Sequence, residues 1–313
     1  MSKPNPKPIA LFVADIHLSL RPPVWRSNEP NWLEAMKRPL EELQELRRKF
    51  EVPIIYAGDI FDKWYGAHQS AELVNFAIKN LPIGYAIPGQ HDMPNHNIDE
   101  IHRSAYHTLE MAEIIMIVGE EGLILPNSLI SVFGFPFGTT IEKVSVEQKA
   151  CKLEDDIYIA VAHEYVWIKN RSYQGAPDEN KITNARQNLD GYDIAVFGDN
   201  HIGFQTKIRD TTIWNCGGFM RRKSDEVDYK PRIGILYDDK TVKPHYLDTS
   251  KDICLATIDI SKEEHDLDFT QLIKELETLG DCGLDFKETM KQYITSKNVS
   301  KPVATILYEA MGI

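Results

Sequence analysis

Five times along this chain a short apolar run, long enough for one buried strand, breaks into a cluster of Asp, His or Gln. Phe12-Val13-Ala14 leads to Asp15-Ile16-His17, and Ile54-Ile55-Tyr56-Ala57 leads to Gly58-Asp59. Tyr85-Ala86-Ile87-Pro88 leads to Gly89-Gln90-His91-Asp92, and Tyr158 to Ala162 leads to His163-Glu164. Ile194-Ala195-Val196-Phe197 leads to Gly198-Asp199-Asn200-His201. Runs that are apolar at successive positions suit strands covered on both faces. A single Gly-Asp after a strand reads as a turn. The recurrence points instead to one site, because sheet folds assemble their sites from loops at strand ends.

Between these runs lie helical patterns. Trp32 to Phe50 is amphipathic with a basic last turn, and Ala71 to Lys79 separates the second strand from a third over Ile83 to Ile87. Strand, helix, strand, helix, strand is the order of a mostly parallel, helix-covered sheet. His96 to Glu113 is expected to be one helix, with Ile98, Ile101, Ala105 and Leu109 on a stripe. Segments 114–118, 123–125 and 129–135 are expected to be strands of a second sheet, followed by a helix over 144–153 and a strand over 157–162. Further short strands are expected at 204–208, 212–215 and 232–237. The fold class is therefore α/β, with two stacked mixed β-sheets flanked by helices. Residues 1–250 would form this domain and residues 251–313 a small α+β capping domain.

The 313 residues carry a formal charge of −12, which argues against a surface that grips nucleic acid along its whole length. It leaves room for a nuclease, because catalytic carboxylates add to the acid count and bound ions invert their local field. Basic residues cluster at Arg221-Arg222-Lys223, after Gly217-Gly218, and around Lys169 and Arg171. The four cysteines lack Cys-x-x-Cys spacing and read as reduced thiols. No apolar segment reaches the ~18 residues of a membrane span, and the N-terminus runs directly into the first strand, so a cytoplasmic protein is expected.

Carboxylate, imidazole and amide oxygen gathered at strand ends suit one or two divalent ions, with hard oxygen donors favouring Mn2+ or Mg2+. Two ions ~3.5–4 Å apart, sharing a carboxylate, can clamp a phosphate ester for hydrolysis without a covalent enzyme intermediate.

Asp15-x-His17, Gly58-Asp59, Gly89-Gln90-His91-Asp92, His163 and Gly198-x-x-His201 resemble, in order and spacing, the motifs D-x-H, G-D, G-N-H-D/E, H and G-H-x-H of the calcineurin-like metallophosphoesterases. The resemblance spans residues ~9–240. Gly58-Asp59-Ile60-Phe61-Asp62 is similar to the G-D-[LI]-F-D run of SbcD-type DNA nucleases, whereas the Ser/Thr phosphatases carry Arg-Gly directly after their second aspartate, where this chain has Lys63-Trp64. The resemblance implies that Asp15, His17 and His201 hold one ion, that Asp59 bridges, and that Gln90, His163 and Asp199 hold the second, with Mn2+ the expected metal. His91 would sit over the scissile phosphate, its ring oriented by Asp92. Asn95, His96, Arg221 and Arg222 are expected to contact substrate. Trp64 and Tyr65 suit either base stacking or the core, with the core favoured. His68, His102, His107 and His245 lie outside the motifs and read as surface histidines.

Two positions depart from the family pattern. Gln90 stands where the family has Asn, and Asp199 where it has the first His of G-H-x-H. A third carboxylate lowers the net charge of a filled site by one unit. That weakens its pull on phosphate and favours Mn2+ or Mg2+ over Zn2+. The function implied is a dinuclear DNA exo/endonuclease. It would be the nuclease subunit of an SbcCD-like repair and recombination complex, dimeric, with an SbcC-like coiled-coil ATPase as partner. The alternatives are a small-molecule or nucleotide phosphodiesterase of the same superfamily, and a non-catalytic scaffold with a degenerate site.

Overall fold

The computed structural model describes residues 5–65, 69–126, 128–169, 171–172, 176–183 and 188–255. The chain divides into two compact units, 1–256 and 257–313, and the second lies outside the described residues. The expected capping-domain strand and helices therefore fall almost wholly outside what is described.

Two six-stranded sheets carry the first unit. One runs in the order β12 (Val242–Tyr246), β11 (Arg232–Tyr237), β1 (Pro8–Val13), β2 (Ile54–Ala57), β3 (Gly84–Ile87), β4 (Ile115–Ile117). The other runs β5 (Leu123–Ile124), β6 (Ile130–Phe135), β7 (Ile157–Ala162), β8 (Ile194–Phe197), β10 (Thr211–Asn215), β9 (Phe204–Ile208). Strands β1 to β4 are mutually parallel, as are β6, β7, β8 and β10, while β11, β12, β5 and β9 join antiparallel. This is the expected sandwich of mixed sheets flanked by helices.

Period-two alternation explains why the strands read as unbroken apolar runs. In β1 and β2, Ala10, Phe12, Ile55 and Ala57 face the other sheet, meeting Val132, Ile159, Val161, Val196 and Trp214. Their neighbours Leu11, Val13, Ile54 and Tyr56 face outward under the helices. There α1 (Trp32–Phe50) lays down Trp32, Ala35, Met36, Leu40, Leu43 and Leu46, spaced at three and four residues. Each large side chain buried this way contributes roughly 1.5–3 kcal/mol. Asn31 caps the helix by accepting the Glu34 N–H, and Glu51 ends it in a left-handed conformation. On the far face of the second sheet, Phe133, Phe135, Tyr158 and Phe197 pack on Ile141, Val144, Val166 and Tyr192.

Three expectations change. Segment 115–117 pairs parallel with β3, Gly84 opposite Ile115, and so closes the first sheet instead of opening the second. The long helix over 96–113 is broken into a 3-10 turn at Ile98–Arg103 and a short helix at Ala105–Met111. Local side-chain bonds cause the break: Asn97 accepts the Asp99 N–H, and Ser104 leaves the helix and caps the next by accepting the His107 N–H. Finally, β12 escaped the sequence reading because Pro244 interrupts a half-exposed edge strand. His102 is exposed, while His107 and His245 pair with Glu110 and Glu42, as expected for surface or capped histidines, and His68 lies outside the described residues.

Candidate metal centre

The polar clusters converge because their strands are neighbours. The loops after β1 and β2 continue side by side, with Asp15 N–H donating to Gly58 O and His17 N–H to Asp59 O. Asp15, His17, Asp59 and Asp199 all have positive φ, between 51° and 71°, a conformation that costs a non-glycine residue energy and persists where surroundings enforce it. Gly58, at φ 91°, is required for space as well: a Cβ there would lie 2.1 Å from His163 Nδ1.

Three groups of candidate ligands result: Asp15, His17 and His201; Asp15, Asp59 and His163; and His17, Asp59 and His91. Within each group the donor atoms lie within 4.8 Å of one another. His17 Nε2 and His201 Nε2 are 3.1 Å apart, and His163 Nε2 is 3.3 Å from Asp59 Oδ2. His163 Nδ1 lies 2.6 Å from the Ala57 carbonyl, which assigns it a proton, so that the ring in its neutral form would carry its lone pair at Nε2.

The donor set fits a cation. Asp15 Oδ2, Asp59 Oδ2, Gln90 Oε1 and His163 Nε2 are buried acceptors without a hydrogen-bond partner. Leaving a buried polar atom unsatisfied costs about 1–3 kcal/mol. The Asp15 and Asp59 carboxylates, grouped within 4.8 Å with His163, repel each other unless positive charge lies between them.

The two departures from the family pattern prove to be partners. Gln90 Nε2 donates to Asp199 Oδ1 at 2.8 Å, which turns Gln90 Oε1 the other way, buried and unpaired. The backbone N–H of Asp199 in turn donates to Asp15 Oδ1 at 3.1 Å. Asn200, between Asp199 and His201, is a buried clamp that sequence reasoning missed: its Nδ2 donates to the Val166 and Arg171 carbonyls and steadies the loop carrying His163.

Asp92 has another job than the expected one. Its carboxylate accepts N–H groups from Ile60, Phe61 and Gly89, tying the Asp59 loop to the Gln90 loop, and no hydrogen bond joins it to the His91 ring among the described residues. His91 is held instead through its backbone N–H, which donates to Asp59 Oδ1 at 2.9 Å. Its ring is over one-third exposed at the mouth, with Nε2 3.9 Å from Asp59 Oδ2.

The arginines are likewise engaged within the protein. Arg221 binds Asp252 and the carbonyls of Val227 and Thr249. Arg222 donates to the His17 carbonyl and to Asp62, both at 2.6 Å. They brace the site and do not present free guanidinium groups to it. Arg26, fully buried, joins Glu29, Asp252 and the Arg221 carbonyl into one network that anchors residues 249–255. Asn95 bonds Glu100, and His96 Nδ1 meets the Gln90 carbonyl at 2.8 Å; both side chains are exposed beside the mouth.

Burial pushes the Asp15 carboxyl well above the usual range, with Asp59 and Asp199 adding to it. Burial acts the same way on Asp59, but His163, His17 and His91 outweigh it and hold that carboxyl low. Burial depresses His17 well below its ordinary value and His201 to about 4, leaving both rings neutral at pH 7. Burial lowers His163 too, but Asp59 overrides it and raises the ring well above its ordinary value. Burial and Asp59 push Asp92 up to about 7, and burial and Asp199 push Glu164 up to about 7.

The calcineurin-like phosphoesterase family model matches residues 10–203, more than half of the chain. The chain belongs to that family. No curated protein matches it. Solved structures similar in fold include a Staphylococcus aureus protein assigned as a 5′-nucleotidase, at 14% identity over 86% of this chain and 58% of that one, TM-score 0.46. The calcineurin-like phosphoesterase YfkN from Bacillus subtilis is 14% identical over 79% and 92%, TM-score 0.44. An archaeal phosphodiesterase is 14% identical over 76% and 99%, TM-score 0.37. This chain thus spans a little over half the length of the first of these. Its Asp and His cluster suits divalent ions.

Two predictions follow from the geometry. In EDTA, stability should fall as pH rises from 6.5 to 8. His163 is raised in the folded state, so its stabilising contribution declines as pH climbs above the ordinary histidine range, where the unfolded ring gives up its proton, and the penalties for ionising Asp92 and Glu164 complete their growth near pH 7. The depressed His17 and His201 act oppositely only below about pH 6.5. Thermal melts across that range check this, and saturating Mn2+ should flatten the part of the slope that His163 carries by taking the place of its proton. Separately, Gln90→Ala and Asp199→Ala should each weaken the second ion roughly 10–100-fold. The double variant should be no worse than the poorer single one, read by calorimetric Mn2+ titration; additive losses would show the pair to be independent.

Proposed function

We propose that this metallophosphoesterase is a DNA nuclease, the catalytic subunit of an SbcCD-like complex. The observation that carries the phosphodiester reading is His91, pinned by its backbone to the carboxylate expected to bridge the ions, with its ring at the open mouth. From there Nε2 can give its proton to the leaving oxygen of a phosphodiester. Asp15, His17 and His201 would hold one Mn2+ and Gln90, His163 and Asp199 the other, with Asp59 between them. Such a pair, once bound, makes water acidic at neutral pH and offsets the charge of the non-bridging phosphate oxygens. Around it the protein supplies rigidity: Arg222 and Asp62 fix the His17 loop, and Asp92 fixes the loops of Asp59 and Gln90.

The DNA reading is supported by the Gly58-Asp59-Ile60-Phe61-Asp62 run, in which Asp62 serves as the partner of Arg222 and lies 3.6 Å from His17 Nδ1. The net charge of −12 favours a separate DNA-holding subunit, the role of an SbcC-like coiled-coil ATPase. Self-association as a dimer is assigned to the broken segment 96–113, which exposes Ile98 and Met111. Among the described residues no helix is long and apolar enough to cross a membrane.

The test is cleavage of end-labelled single- and double-stranded DNA with Mn2+, beside bis-(p-nitrophenyl) phosphate. DNA should be cut, and His91→Ala should lower the rate about 10²–10⁴-fold. Turnover of the small ester with DNA untouched would favour a nucleotide or small-molecule phosphodiesterase. Turnover of neither would leave a scaffold.

A further inference from the structure

We propose that Trp64, Tyr65, His96 and Phe137 form a base-stacking shelf on the rim of the metal site, taking the nucleobase beside the scissile phosphate. The inference rests on the phosphodiesterase reading and names the part of the substrate the site would recognise.

The four rings come from three segments that meet at this rim. Trp64 and Tyr65 follow the Asp59 loop, whose Phe61 N–H is held by Asp92. His96 is tied by Nδ1 to the Gln90 carbonyl at 2.8 Å. Phe137, just beyond β6, donates its N–H to the Pro88 carbonyl at 3.3 Å, two residues before Gln90. Each ring is thus fixed to a loop that carries a candidate ligand or to the strand end beside it. His96 and its neighbour Asn95 both hold positive φ, 56° and 53°, so the backbone is bent against preference to present this ring.

Core packing does not account for the rings. None of the four belongs to, or packs against, the three buried apolar clusters among the described residues. Tyr65 is 49% exposed, His96 is exposed, and Trp64 and Phe137 are half-buried. The core role first favoured for Trp64 and Tyr65 therefore gives way to a rim position. Trp64 meets Tyr65 edge to face at 5.1 Å and 76° and His96 at 6.4 Å and 80°, while His96 and Phe137 are tilted at 6.3 Å and 59°, so that none of the pairs is stacked. Because the rings do not stack on one another, their faces remain to take a flat π-system. Lys63 Nζ lies 5.9 Å from the Tyr65 ring centre, placing a positive charge where the phosphate flanking a stacked base would run. Because every base has a π-face, recognition would tolerate any sequence.

The test compares a short fluorescein-labelled single strand with a strand of equal length built from abasic tetrahydrofuran units. Binding is followed by anisotropy with Mn2+ in the His91→Ala background, so that the strand survives. The base-bearing strand should bind about tenfold tighter, the order that stacking supplies. Tyr65→Ala with Phe137→Ala should erase that preference, while Tyr65→Phe should retain it. Equal affinities for the two strands, or a preference untouched by the double substitution, overturns the shelf. Cleavage of phosphodiesters without base preference would sink the shelf and leave the phosphodiesterase standing. Base preference without turnover of any ester by the wild type would do the reverse.

Discussion

Two buried carboxylates, Asp15 and Asp59, stand at the ends of adjacent parallel strands, each with one oxygen that accepts no hydrogen bond among the described residues. Much of the local architecture answers to that repulsion. His163 approaches one carboxylate, His17 and His201 crowd Nε2 to Nε2, and four residues hold left-handed backbone to aim their side chains inward. An apolar core would never select this arrangement, since each unsatisfied group costs stability. The strain becomes intelligible once positive charge belongs at the centre.

Around that constraint lies a frame of hydrogen bonds with no catalytic chemistry of its own. Asp92 gathers three backbone N–H groups, Asn200 spans two carbonyls, and Arg222 links the His17 loop to Asp62. Frames of this kind set ligand positions to within fractions of an ångström, the tolerance that metal sites demand. The Gln90–Asp199 bond extends the same logic. A longer amide and a carboxylate, each out of pattern alone, become one unit in which the carboxylate dictates where the amide oxygen points.

The sandwich and the position of the site were legible in the sequence because one physical rule governs both. Strands buried on two faces must be apolar throughout, so the polar residues that end them stand out. What stayed hidden depended on pairing at a distance. No local pattern marks segment 115–117 as a partner of β3 instead of β6. Nor does any show that Asp92 would bind backbone and not the neighbouring ring, or that Arg221 and Arg222 would be claimed by Asp252, Asp62 and carbonyls. The break in segment 96–113 was readable in principle, since Asn97 and Ser104 are residues that cap and interrupt helices. There the apolar stripe outweighed the capping signals. Trp64 and Tyr65 could not be assigned from the sequence because aromatic rings serve cores and rims alike.

The central claim is that the unpaired acceptors of Asp15, Asp59, Gln90 and His163, with the crowded His17 and His201, form the ligand shell of two ions. Its most direct test is elemental analysis of the purified wild-type chain after dialysis against Mn2+, with calorimetry to count the sites. The account predicts two ions per chain, and one ion or none would contradict it.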